Sequence, residues 1–243
     1  MLELKNIRFS VLDENGETKT IIRDLSLTLA DRRFLAITGP NGSGKSTLAK
    51  LIAGIEKPTE GRILLDGEDI TDLSITERAR AGIGFGFQQP VRFKGLTVFD
   101  LLRIASGKKL NVSEACSYLS EVGLCARDYI NREANSSLSG GELKRIEIAT
   151  VLARKSRLTV FDEPEAGIDL WSFQNLTRVF QSMREDIRDS SMIVISHQER
   201  ILEIADDILV LTAGEIDKYG PREEILPQVL GTESAQNACD RLK

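Results

Sequence analysis

The chain reads as an α/β fold, and three observations predict it. A short apolar run, Phe34-Leu35-Ala36-Ile37-Thr38, leads into Gly39-Pro40-Asn41-Gly42-Ser43-Gly44-Lys45-Ser46-Thr47 and then into the helical stretch Leu48–Ala53. Further short apolar runs, at 158–161 and 192–195, alternate with stretches of helical period, as buried parallel strands and their crossovers do. Between about 97 and 150 the apolar period changes from two to 3.6, so an all-helical block interrupts the strands.

Taken in order, residues 2–11 and 20–29 alternate apolar and polar side chains around Asp13-Glu14-Asn15-Gly16, the pattern of an antiparallel pair. Arg62–Leu65 before Asp66-Gly67 gives another strand and turn. Ile83–Phe87 gives a further strand, which Gln88-Gln89-Pro90 ends because proline cannot donate to a ladder. In the helical block, Thr97 with Asp100 opens one helix, Ser113 a second that Gly123 stops, and Ser-Leu-Ser-Gly-Gly at 137–141 a third running to Arg154. Strand and helix then resume: strand 158–161, helix 171–187, strand 192–195, a short helix from Gln198 to Ala205, and a hairpin about Ala213-Gly214. The tail from Pro221 is polar, with one amphipathic stretch near Glu223–Leu230.

Composition narrows the class. With 243 residues, 41% apolar and 28% charged, the chain can bury a core and is not disordered. A net charge of −5 argues against a nucleic-acid-wrapping surface, so no direct nucleic acid is expected. Cys116, Cys125 and Cys239 lack metal-ligand spacing and read as reduced thiols of a cytoplasmic protein. No apolar stretch reaches membrane-spanning length, so any membrane role needs a partner subunit.

The chemistry starts at Gly39–Thr47, which satisfies G-x-x-x-x-G-K-[ST]. Gly39, Gly42 and Gly44 let the loop's backbone N–H groups, those of Asn41 and Ser43 among them but not Pro40, which has none, wrap phosphate oxygens, and the following helix adds its dipole. Lys45 is expected at the β/γ-phosphates and the Ser46 hydroxyl on Mg²⁺. The strand 158–161 runs into two acids. Asp162 at its tip can hold hydrated Mg²⁺, and Glu163 beyond it can accept a proton from an attacking water. Ser139, Gly140 and Gly141 open a helix, either as a second anion site or simply as a capped start, since Ser139 with Glu142 also matches a capping box. His197, the chain's one histidine, follows a strand, where ligand crevices of open α/β sheets lie.

In this order Gly39–Thr47, Gln88, Leu138–Glu142, Val160–Glu163, Ala166-Gly167-Ile168-Asp169 and His197 resemble the Walker A, Q-loop, signature, Walker B, D-loop and switch-histidine motifs of an ABC ATPase, over roughly residues 2–220. The resemblance implies a P-loop NTPase fold: an ABC-type nucleotide-binding domain with an N-terminal antiparallel β-subdomain and an inserted α-helical subdomain. Its bounds are a single domain over 1–220, with 1–90 and 155–220 as core and β-subdomain, 91–154 helical, and 221–243 a tail. It also implies ATP and Mg²⁺ as cofactors and a head-to-tail dimer sandwiching two ATPs. Ser139, Gly140 and Gly141 of one copy then cap the γ-phosphate held by Lys45 of the other. Gln88 senses Mg²⁺ and the attacking water, His197 contacts the γ-phosphate, and Asp169 couples the two sites.

Several segments resemble, within that family, the ATPase of the Suf iron–sulfur cluster assembly system. They are Phe87–Val91, Ser139–Arg145 with Glu142 where transporters commonly have glutamine, and Ser196–Leu202. Val11 also stands where transporter cassettes usually carry an aromatic ring. Pro164 and Leu143 depart from the Suf pattern. The resemblance implies a soluble SufB/SufD-like scaffold as partner, with a transmembrane permease as the alternative.

Overall fold

The computed structural model describes residues 1–13, 15–135, 137–167, 170–185 and 190–240. Strands β1 (Leu2–Leu12) and β2 (Thr18–Leu29) form the expected antiparallel pair, followed by β3 (Phe34–Thr38) and helix α1 (Lys45–Ala53). Then come β4 (Glu60–Leu65), β5 (Glu68–Asp69), α2 (Ile75–Arg80) and β6 (Ile83–Gly86). The helical block holds α3 (Val98–Ser106), α4 (Val112–Glu121), the short α5 (Ala126–Tyr129) and α6 (Gly140–Arg154). After it run β7 (Leu158–Asp162), α7 (Leu170–Glu185), β8 (Ser191–Ile195), α8 (Glu199–Ile204), β9 (Asp207–Thr212), β10 (Glu215–Pro221) and α9 (Arg222–Asp240).

Two sheets result. One is antiparallel in the order β2-β1-β4-β5; the other, in the order β10-β9-β3-β8-β7-β6, is parallel except for β10. Strands β3, β7 and β8 of the larger sheet are buried on both faces, and the sheet's inward side chains divide by parity. Phe34, Ala36, Phe161, Met192, Val194 and Ile208 face one apolar cluster, shared with Val98 and Leu102 of α3, Leu119 of α4 and Ile146 and Ala149 of α6. Leu35, Ile37, Leu158, Val160, Ile193, Ile195 and Leu209 face the other, shared with Leu48, Leu51 and Ile52 of α1 and with the smaller sheet. The helical block therefore packs its apolar face into a cluster that continues onto the large sheet.

Helix starts follow their caps. Thr97 and Asp100 form a reciprocal capping box at α3, and Ser139 and Glu142 form one at α6. At α4 the cap is Asn111 with Glu114, two residues ahead of the Ser113 start expected from sequence. Asparagine is as good a cap as serine, and the apolar period alone does not choose between them.

Arg78 of α2 is fully buried, yet its guanidinium meets no carboxylate within ion-pair distance among the described residues. It donates to Leu51 O (2.6 Å) and Ile52 O (2.9 Å) in the last turn of α1, to Thr71 O (2.7 Å) and to Leu73 O (3.3 Å). A permanent cation thus donates to Ile52 O and to Leu51 O, the latter also accepting from Gly54 N–H at 3.3 Å, and sits at the negative end of the α1 dipole. Burial pushes its pKa down, opposed by Asp72 and Asp69, but an arginine stays charged. Replacement by methionine removes these hydrogen bonds, at about 1–3 kcal/mol for each carbonyl left with no other donor, partly recovered by apolar burial. Arg78→Met is therefore expected to lower unfolding free energy by about 3 kcal/mol. A shift in the urea midpoint worth less than about 1 kcal/mol would show that water or rearrangement satisfies those carbonyls instead.

Candidate functional site

The site gathers at the C-terminal ends of four parallel strands that are neighbours in the sheet. β3 ends at Thr38 before the glycine-rich loop, β8 runs to Ile195 before His197, β7 ends at Asp162, and β6 ends at Gly86 before Gln88. Ile195 is level with both Ile37 and Asp162, and Gly86 with Phe161. The loop, His197, Glu163 and Gln88 therefore emerge along one edge, where ligand crevices of open α/β sheets form.

Gly39 (φ 134°) and Gly44 (φ 102°) show why the loop needs glycine. An added Cβ at Gly39 meets Leu211 O at 2.0 Å, and one at Gly44 meets the Ile22 side chain at 2.7 Å. Lys45 is buried and donates to Gly39 O (2.8 Å) and Pro40 O (2.9 Å), so its ammonium lies across the loop. Burial lowers its pKa, while Glu163 and Asp162 oppose that shift. Ser46 Oγ donates to Asp162 Oδ1 at 2.9 Å. Burial raises the Asp162 pKa, and the Ser46 hydrogen bond works against it. A hydroxyl and a carboxylate that converge beside a phosphate loop fit Mg²⁺, which takes few protein oxygens and completes its shell with water and phosphate.

Glu163 takes a left-handed backbone (φ 43°), a conformation that costs a residue with a side chain about 1–2 kcal/mol. Its N–H donates to Ile195 O (3.1 Å), which ties it to the neighbouring strand. Its carboxylate accepts from Gln88 Nε2 at 2.6 Å and stands 3.9 Å from His197 Nε2. Gln88, Glu163 and His197 are thus brought together, as are Lys45, Ser46 and Asp162.

Ser139, Gly140 and Gly141 are elsewhere. Among the described residues no hydrogen bond links them to Gly39–Thr47, and space beside both glycines is open. Glu142 turns back on its own helix start, accepting from Ser139 N at 2.6 Å and from the Tyr129 hydroxyl, which holds its pKa down to about 2. The capping box of the sequence reading forms, with Ser139 and Gly140 exposed and Gly141 half-buried. Asp169 lies outside the described residues.

Some groups around the site escaped the sequence reading. Glu165 accepts from Ser196 Oγ at 2.5 Å, next to His197, and Lys144 and Glu147 of α6 hold the main chain at Phe87 and Gln88. The available signal was a lysine and a glutamate three apart on a helix, flanked by Leu143, Ile146 and Ile148. Cys116 is half-buried and Cys125 exposed, both free thiols, and no group of three or more possible metal ligands occurs among the described residues.

A family model described as ABC transporter matches residues 22–166, and the chain belongs to that family, whose cassettes bind and hydrolyse ATP. Among its relatives, the uncharacterized ABC transporter ATP-binding protein MJ0035 of Methanocaldococcus jannaschii is 39% identical over 215 residues, with 85% of each chain covered. The sulfate/thiosulfate import ATP-binding protein CysA of Synechocystis sp. is 33% identical over 210 residues, which cover 85% of this chain and 58% of that protein. In a solved dimeric structure, a post-hydrolysis state of the ATP-binding cassette MJ0796 bound to ADP and Pi matches with a TM-score of 0.81. Identity there is 25%, over 91% of this chain and 99% of that one.

By the family resemblance Val11 stands where an adenine would stack, and that reading carries a specificity prediction. Val11, 39% exposed, lies across from Lys19 on the β1–β2 pair, and Ile21 and Ile22 further along β2 abut Gly44. A purine stacked here gains no aromatic partner, a contribution of about 1–3 kcal/mol in nucleic-acid sites. ATP and GTP are therefore expected to bind within about a hundredfold of each other, roughly 2.7 kcal/mol, by competition calorimetry. A larger preference for ATP means that another group reads the adenine.

Proposed function

We propose that the chain is the ATP-hydrolysing subunit of a membrane transporter, two copies closing head to tail on two ATPs at the cytoplasmic face of a transmembrane permease. The observation that supports the ATPase half is the convergence of Lys45, Ser46, Asp162, Glu163, Gln88 and His197 at adjacent strand ends. In this reading loop N–H groups and Lys45 bind the β/γ-phosphates, and Ser46 and Asp162 hold Mg²⁺, which when bound neutralises phosphate charge. Glu163 takes the proton of the attacking water, held at its post by Gln88, while His197 contacts the γ-phosphate. Ser139, Gly140 and Gly141 cap the γ-phosphate in the other copy, with Asp169 coupling the two sites. Their separation from the chain's own loop supports a second copy, as does the dimeric state of the MJ0796 cassette.

The transporter half rests on the relatives, which are described as transporter and sulfate/thiosulfate import ATP-binding proteins. Among the described residues no helix is long and apolar enough to cross a membrane, so the permease is a separate chain in this reading. Val91 and Phe93 are exposed just beyond the Q-loop and offer apolar docking groups. A second reading, a Suf-type ATPase on a SufB/SufD-like scaffold, is favoured by Val11, by Glu142 in place of glutamine and by the segments around Gln88 and His197.

Glu163→Gln is expected to bind ATP yet hydrolyse it about 10²–10⁴-fold more slowly, and to accumulate as an ATP-bound dimer on size exclusion. Lys45→Ala is expected to lose tight ATP–Mg²⁺ binding by calorimetry. Wild-type turnover in the first variant reassigns the base; unchanged affinity in the second removes the phosphate site. Crosslinking from Arg92, Phe93 or Lys94 in cells separates the partners. Crosslinks to an integral membrane protein support the permease, and crosslinks only to a soluble protein overturn it in favour of the scaffold.

A further inference from the structure

Among the described residues β6 is an edge strand paired only with β7, and its ladder ends at Gly86 opposite Phe161. The next residue, Phe87, has no strand to satisfy its peptide groups. Two side chains from α6, one helical turn apart, do so instead. Glu147 Oε1 accepts from Phe87 N–H at 2.8 Å, and Lys144 Nζ donates to Phe87 O and, at 3.4 Å, to Gln88 O. Lys144 Nζ also lies 3.1 Å from Glu147 Oε2, which closes a ring of charge and main chain. The Lys144 side chain is only 1% exposed.

Charges are costly to bury. Each ion loses hydration worth several kcal/mol, and apolar residues of similar volume often make a more stable core than a buried pair does. Burial accordingly raises the Glu147 pKa, against the opposing pull of Lys144. What the pair supplies that apolar packing cannot is a grip on both polar groups of Phe87. The residue after Phe87 is Gln88, whose amide donates to Glu163 at 2.6 Å. The gripped residue is therefore bonded directly to the one whose side chain sets the carboxylate.

We infer that Lys144 and Glu147 are positioning residues for hydrolysis, a charged latch on α6 that sets Glu163 through Gln88. The inference rests on the proposed role of Glu163 as proton acceptor. Because α6 also begins at Ser139–Gly141, the latch joins the segment facing a second copy to the hydrolytic carboxylate. Helix α6 cannot turn against the end of β6 without pulling Gln88.

The test is a double-mutant cycle on ATP turnover with purified full-length protein. Loss of the latch displaces Gln88 without touching the phosphate loop. Glu147→Ala is expected to lower kcat by about 10- to 100-fold, the scale of a displacement near 1 Å, with nucleotide affinity by calorimetry within about twofold of wild type. In a Gln88→Ala background the same change is expected to cost less than about twofold more, since the latch then has nothing to position. If Glu147→Ala does not fold, Glu147→Gln, which keeps an acceptor for Phe87 N–H, and Lys144→Met run through the same cycle. An unchanged kcat, or a full additional loss in the Gln88→Ala background, overturns the latch. Slow Glu163→Gln beside normal latch variants overturns the latch alone, whereas wild-type turnover in Glu163→Gln overturns the base assignment and the latch with it.

Discussion

Parallel pairing of β3, β8, β7 and β6 in one register is the constraint on which the rest depends. Side chains alternate across a strand, so a slip of one residue would exchange the two apolar clusters on its faces. The same slip would move His197 or Glu163 off the level of the phosphate loop. Hydrophobic burial and site assembly therefore impose the same register. Leu35, Ile37, Val160, Ile193 and Ile195 on one face, with Phe34, Phe161 and Val194 on the other, hold the strand ends level by packing.

That packing brings polar groups to the rim of a dry interior, and the local chemistry follows from it. Asp162 is buried at a strand tip, and among the described residues its carboxylate has a single hydrogen-bond donor, Ser46. Lys45 is buried against two carbonyls of its own loop. Neither arrangement is what a core selected only for stability would contain, since unpaired or half-paired charges cost more inside than at the surface. Both are suited to a ligand bearing negative phosphates and a hard cation. Glu163 adds backbone strain, held because Ile195 O fixes its N–H and Gln88 its carboxylate.

Much of this was legible in the sequence because the signals are local. Short apolar runs of four or five residues announced β3, β7 and β8, and Thr97–Asp100 and Ser139–Glu142 announced two helix starts. The motif residues lie at element ends, where residue type and spacing carry meaning. The order of strands was not legible: β6, β7 and β8 follow one another along the chain, yet β8 lies next to β3 and β6 lies at the edge. That order is set by which crossovers can cover both faces, a non-local matter. Arg78, Lys144 and Glu147 were hidden for a related reason. Charged side chains in a helix suggest a solvated face, and only the surrounding fold shows that these three turn inward to main-chain groups.

The helix that hid two of them is also the one element that spans the separate parts of the site. From Ser139 at its cap to Glu147 is eight residues, about 12 Å of helix axis at 1.5 Å each. Over that length an α-helix with its ladder intact transmits rotation and translation with little internal give. At one end it carries Ser139 and Gly140, exposed at a capped helix start. Further along it grips the peptide beside Gln88, and its buried face, through Ile146 and Ala149, belongs to the cluster that also packs the large sheet. An event that engages Ser139–Gly141 can therefore reach Glu163 through rigid covalent and hydrogen-bonded steps, without rearranging the apolar core between them.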